Sequence, residues 1–63
     1  MGNKKAIYWF LKFHQDKWFT VRDVAKAMDL SVDRTRKHLS YLVIDSKIDT
    51  KIDGWHNIYR FRR

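Results

Sequence analysis

The sequence predicts an α+β fold: three helices, a short strand after the first of them, and a C-terminal two-stranded β-hairpin. Three observations carry that prediction. Thr20 and Ser31 stand where apolar repeats of helical spacing begin, as capping residues do. From about residue 48 the apolar period becomes that of a strand, with β-branched Ile48, Thr50 and Ile52 at alternate positions. Asp53-Gly54, a strong hairpin signal, then separates this run from a second alternating one, Asn57 to Arg62.

The first helix is predicted over residues 4–14, KKAIYWFLKFH, with Asn3 as its N-cap. Ile7, Phe10, Leu11 and His14 fall on one face. Trp9 lies almost opposite Ile7, with Phe13 and Ala6 to one side, so this helix is apolar on more than one face. Gln15-Asp16-Lys17 breaks the pattern, and Trp18-Phe19 reads as a short aromatic strand. Thr20 to Asp23 resembles a capping box with Asp in place of the usual Glu. The second helix, about 21–28, should bury Val21, Val24, Ala25 and Met28, and Asp29-Leu30 forms the turn. Ser31 caps the third helix, which runs to Ser46. Val32, Thr35, Leu39, Leu42 and Val43 share its apolar face, with Ser46 closing it. The opposite face shows Asp33, Lys37, Ser40 and Ile44, flanked by Arg34 and Tyr41, with Arg36 at the boundary.

The stretch IDSKIDTKIDG, residues 44–54, repeats Ile-Asp at a spacing of four, which keeps residues on one side of a helix and equally of a strand. Alternation and the Asp-Gly turn decide for a strand from Ile48 onward, so the repeat is a coincidence of two periods. A turn of two or four residues then places Ile48, Thr50 and Ile52 on the same face as Asn57, Tyr59 and Phe61. Asp49, Lys51, Ile58, Arg60 and Arg62 form the outward face. A calcium loop is not expected, because the acidic residues are four apart and the chain has no Glu. His14, His38 and His56 have no recognised ligand spacing, so no metal site is expected.

Sixty-three residues suit a single domain, 1–63, and ten aromatics can supply its core. Without Cys, disulfides and thiolate zinc sites are excluded. The formal charge is +7, with net +3 over residues 1–20, +1 over 21–46 and +3 over 47–63. That balance suits a polyanionic partner. No signal peptide and no apolar run near about 18 residues is visible, so a soluble, cytoplasmic chain without membrane contact is expected. No enzyme is expected either: there is no Cys, no Glu pair and no glycine-rich phosphate loop. Neither a cofactor nor a small-molecule ligand is anticipated.

The run FTVRDVAKAMDLSVDRTRKHLSYLVIDSK, Phe19 to Lys47, resembles the winged helix-turn-helix family of DNA-binding domains. Thr20, Asp23, Val24, Ala25, Met28, Leu30, Ser31, Leu39 and Leu42 match the family's pattern. Arg34 stands where Thr or Ser is frequent, and Ser46 near a frequent Gly before the first wing strand. In length the chain is most like small free-standing prokaryotic regulators of the FaeA/PapI type; MarR- and ArsR-like proteins share the core. The Z-form nucleic-acid binders are a poor match. Arg36 and Ser40 occupy the positions of their Asn and Tyr, Pro is absent, and Trp55 is the only echo.

The resemblance implies a sequence-specific binder of double-stranded DNA, a nucleoid-associated transcriptional regulator. Helix 31–46 would enter the major groove, and hairpin 48–62 would follow the backbone or a minor groove. Asp33, Arg34, Arg36, Lys37 and Ser40 are the candidates on the third helix; each is otherwise a solvated surface residue. Thr20, Arg22 and Ser31 stand at helix N-termini, where free N–H groups can receive phosphate or simply be capped. Lys51, Trp55, His56 and Arg60 are the wing candidates, with Trp55 either on sugar or folded back over Ile52. Trp9, Phe13, Tyr41 and Ile44 are candidates for a partner surface, as in a symmetric homodimer, or are aromatics and aliphatics spread around a small core. The alternative function is a protein–protein interaction module or an RNA-binding domain that uses the helix-one aromatics.

Overall fold

A computed structural model describes residues 3–63. Its elements in chain order are α1 (Asn3–Phe13), β1 (Phe19–Thr20), α2 (Val21–Met28), α3 (Val32–Ile44), β2 (Ile48–Asp53) and β3 (His56–Phe61). Asn3 is already helical, so it does not cap α1, and the position before it lies outside the described residues. α1 also stops at Phe13. His14 is exposed rather than part of the buried face, its ring 5.0 Å from that of Phe10 and 5.9 Å from that of Phe19.

Two capped starts and two matching ends build the α2–α3 unit. The Asp23 N–H donates to Thr20 Oγ1 and the Thr20 N–H donates to Asp23 Oδ2, each at 3.1 Å, so the capping box closes with Asp. The Arg34 N–H donates to Ser31 Oγ at 3.2 Å. After α2, Leu30 N–H reaches Ala25 O and Asp29 N–H reaches Lys26 O. After α3, Lys47 N–H reaches Leu42 O and Ser46 N–H reaches Val43 O. Both are the paired bonds of a Schellman motif, which needs one residue in the left-handed region. Asp29 (φ 57) and Ser46 (φ 59) fill that role. Ser46 therefore does not close the buried face of α3 as expected; it is exposed in the turn, where a glycine is the low-strain choice.

The sheet is antiparallel in the order β1-β3-β2. β1 is one residue later than expected and pairs Phe19↔Tyr59 and Thr20↔Ile58. In the hairpin, Ile48↔Phe61, Thr50↔Tyr59 and Ile52↔Asn57 share a face, as the alternation requires. The turn itself is displaced. Asp53 pairs with His56, so the connection is Gly54-Trp55 instead of Asp53-Gly54. Gly54 has φ +65 and Trp55 does not have positive φ, the pattern of a type II′ turn with glycine first. Ile58 is a second correction. Its side of the strand faces outward, yet it is buried, because β3 is the central strand and Thr20 and Lys51 flank it.

Ile7 and Leu11 of α1, Val24 of α2, Leu39 and Leu42 of α3, Ile48 of β2 and Tyr59 of β3 form one buried cluster. Phe10, Phe19, Val21, Met28 and Phe61 pack around it half-buried. Core burial stops at the level of Ile48 and Tyr59. Ile52 and Asn57 are exposed, so the far half of the hairpin projects beyond the core. The result is a winged helix-turn-helix.

Relief of the left-handed strain at Ser46 should be measurable. Ser46→Gly is expected to stabilise the fold by about 0.5–1 kcal/mol in urea denaturation, whereas Ser46→Val should destabilise it.

Candidate nucleic-acid interface

Burial of Thr35, Leu39 and Leu42 against the core turns the other side of α3 outward. Asp33, Arg34, Arg36, Lys37 and Ser40 are all exposed there. They occupy a broad arc. Asp33, Lys37, Ser40 and Ile44 run along its middle at helical spacing. Arg36 lies at the edge nearer the hairpin, and Arg34, about half a turn round the helix from it, lies on the far side.

The edge with Arg36 forms one wall of an open groove of about 600 Å³. Thr20, Val21, Arg22 and Asp23 at the start of α2 and Val32 at the start of α3 line it, and Trp55, His56 and Asn57 at the hairpin tip face them. Five of the residues expected to bind DNA are thus brought together: Thr20, Arg22, Arg36, Trp55 and His56. Capping engages one N–H in each first turn, those of Asp23 and Arg34. The N–H groups ahead of them have no partner within their own helix and, with the positive end of the helix dipole, favour an anion. Arg36 is tethered by Asp33, with Nη1 to Oδ1 at 3.4 Å. An exposed pair of this kind contributes about 0–1 kcal/mol, so the guanidinium exchanges easily for another acceptor. Arg34 and Lys37 form no ion pair among the described residues.

Lys51 and Arg60 are placed elsewhere. Strand alternation sets them on the outward sheet face, and both cations lie against Trp18. Lys51 Nζ is 4.5 Å and Arg60 Cζ 4.4 Å from its ring centroid. Such contacts are attractive by about 0.5–2 kcal/mol each, depending on exposure. Trp18 was not among the expected site residues. Its partners become visible only when β1 pairs with β3, which brings residue 18 beside residue 60. Ser31, Asp33, Arg34, Lys37 and Ser40 do not line the groove.

Trp55 does not fold back over Ile52: it is 99% exposed and Ile52 is 75% exposed. The type II′ connection aims the indole away from the ribbon. Trp9 and Phe13 stand on the outward side of α1, with Lys12 Nζ 4.7 Å from the Trp9 ring. Tyr41 and Ile44 are exposed on the same outward side of α3 as Lys37. No helix among the described residues is long and apolar enough to cross a membrane.

No protein-family model matches the chain, and no curated protein matches it significantly. Solved structures do. One is HOP2, described through its DNA recognition and protein interaction domains and its homologous DNA pairing. It has a TM-score of 0.87 at 25% identity over 97% of this chain and 100% of that one. HlyU from Vibrio cholerae N16961, in its reduced form, aligns with a TM-score of 0.82 at 19% identity, over 100% of this chain and 63% of its own. NolR from Sinorhizobium fredii aligns with a TM-score of 0.77 at 21% identity, over 98% of this chain and 60% of its own. The chain thus spans less than two thirds of HlyU and NolR. These two likenesses are of fold.

The Trp18 clamp is open to a double-mutant cycle. Trp18→Leu combined with Arg60→Gln should give a coupling free energy of about 0.5–1 kcal/mol in chemical denaturation, where two independent surface residues would give none.

Proposed function

We propose that this chain is a sequence-specific double-stranded DNA-binding protein and acts as a transcriptional regulator. The observation that carries the reading is the groove in which the starts of α2 and α3 face the hairpin tip. It gathers Arg22, Arg36, Trp55 and His56 on a molecule of formal charge +7. α3 enters the major groove by its N-terminal half, and the hairpin runs along the backbone toward the neighbouring minor groove. Arg36 is the base reader, since its fork suits guanine. Arg34 serves as a second reader, and Asp33 and Ser40 border the same bases. Lys37 meets phosphate. Thr20, Arg22 and Ser31 hold phosphate at the helix starts. Lys51 and Arg60, laid against Trp18, add positive potential to the wing.

The likeness to HOP2, whose description names DNA recognition alongside protein interaction, supports a DNA partner. Residues 1–63 act as one domain in the cytoplasm, associated with the nucleoid. The FaeA/PapI-like regulators remain the sequence class that the chain resembles most in length. Trp9 and Phe13, with Tyr41 and Ile44, favour self-association as a symmetric dimer, which would present two copies of α3 to a two-fold site. The second reading is a protein-docking or RNA-binding module centred on Trp9 and Phe13, of which Phe13 is 86% exposed.

An NMR titration with short duplex DNA separates these readings. DNA binding moves signals of residues 31–40 and 51–60; a docking module leaves them still and responds at α1. In salt-titrated gel shifts, Arg36→Ala should cost about 1–3 kcal/mol on the preferred site and relax discrimination. Lys37→Ala should weaken all sequences alike and reduce the salt slope by about 1. In sedimentation, Trp9→Ala should lower self-association while leaving monomer binding to DNA in place.

A further inference from the structure

The least explained side chain in the molecule is Trp55. It is 99% exposed on the residue after Gly54, at the far end of the hairpin. An indole is the largest apolar side chain, and leaving it in water forgoes its burial. The turn does not need it. Gly54 supplies the positive φ, and the next position accepts most residues. Ile52, also on the hairpin's far half, is 75% exposed as well.

The ribbon beneath the tip is braced. β1 pairs with β3 at Phe19↔Tyr59 and Thr20↔Ile58. Trp18 lies between Lys51 and Arg60, tying β2 and β3 together on the outward face. Past that brace the hairpin runs on to Asp53↔His56, and Trp55 stands on the rim of the groove whose other wall carries Arg22 and Arg36. The ribbon therefore presents a flat aromatic across the groove from the phosphate-holding Arg22 and the base-reading Arg36. For contact with phosphate or sugar alone, a Lys or Arg would serve better than an indole. The ring face instead matches the face of a base, and apolar wedges on minor-groove proteins enter base steps and kink the duplex.

We infer that Trp55 is a wedge that stacks into an unstacked base step, so that the preferred ligand is a kinked or locally opened duplex over a straight one. The inference rests on the DNA-binding reading above and adds the class of DNA. Arg22 and Arg36 grip one side of the step while the indole fills it, and the stacking offsets the cost of opening the step.

The test compares two fluorescent duplexes of one sequence, the second carrying a single abasic site where the stack is already broken. Binding is read by anisotropy with the whole chain. The wild type should bind the abasic duplex about tenfold or more tightly than the intact one, because the opening cost is removed. Trp55→Ala, a change at an exposed turn position, should lose more affinity for the abasic duplex and bring the ratio to about one. Energy transfer between end labels should show a bend in the intact duplex with the wild type and a smaller one with Trp55→Ala. Equal affinity of the wild type for both duplexes overturns the wedge, as does a preference that survives Trp55→Ala. An equal loss on both duplexes also overturns it, since that marks a plain backbone contact. DNA affinities that ignore the substitution overturn it too, and assign the indole to a protein partner. In those four cases DNA binding itself stands. Failure of the wild type to bind either duplex removes the DNA reading, and the wedge with it.

Discussion

Thr20 is the joint on which the geometry depends. Its backbone ends β1 and pairs with Ile58, while its hydroxyl caps α2 in a reciprocal box with Asp23. One residue thus belongs to the sheet and to the helix-turn-helix unit. The capping bonds hold the start of α2 at a set angle to β3, and β3 carries the hairpin. Because Schellman ends and the Ser31 cap fix α3 relative to α2, the distance from α3 to the hairpin tip is set by a short chain of hydrogen bonds. An Ala at this position would remove the cap acceptor, which typically costs about 1 kcal/mol, and would loosen the groove as well as the helix.

Packing explains why so short a chain can hold that geometry. Every helix and both hairpin strands place at least one side chain in the same buried cluster. The aromatic load then acts at the margins. Tyr8 meets Phe61 at 5.6 Å between ring centroids and Phe10 meets Phe19 at 5.0 Å, closing the seam between α1 and the sheet. Exposed ion pairs at the periphery, such as Lys4–Asp45 at 2.9 Å and Arg62–Asp49 at 3.8 Å, add little to stability. They leave most of the positive charge unpaired, and that excess is what a polyanion would feel.

The groove links the fold to the proposed chemistry. Each wall is a different kind of structure. One is made of helix starts, where backbone N–H groups and Arg22 and Arg36 offer charge; the other is a ribbon tip, where Trp55 offers an apolar face. A duplex has both features, a charged backbone and stacked rings. The Trp18 clamp serves the same end indirectly, because cations laid along a ring stiffen the ribbon while keeping their charge on its surface.

Local chemistry in the sequence determined the starts of α2 and α3, the α2 bounds, the exposed arc of α3 and the side-chain parity of the hairpin. Those features depend on caps, on the 3.6 and 2 periods and on β-branching, all of which act within a few residues. The helix ends were less legible: Ser46 fits a helical repeat, and only the Schellman bonds show it to be the turn. The hairpin connection moved to Gly54-Trp55 because pairing along the full length of β2 and β3, rather than the dipeptide, fixes which residues turn. Tertiary structure alone decided three things: the burial of Ile58, the seat of Lys51 and Arg60 on Trp18, and the meeting of Arg22 and Arg36 with Trp55. Each requires two segments far apart in the chain to come side by side, and no local period encodes that register.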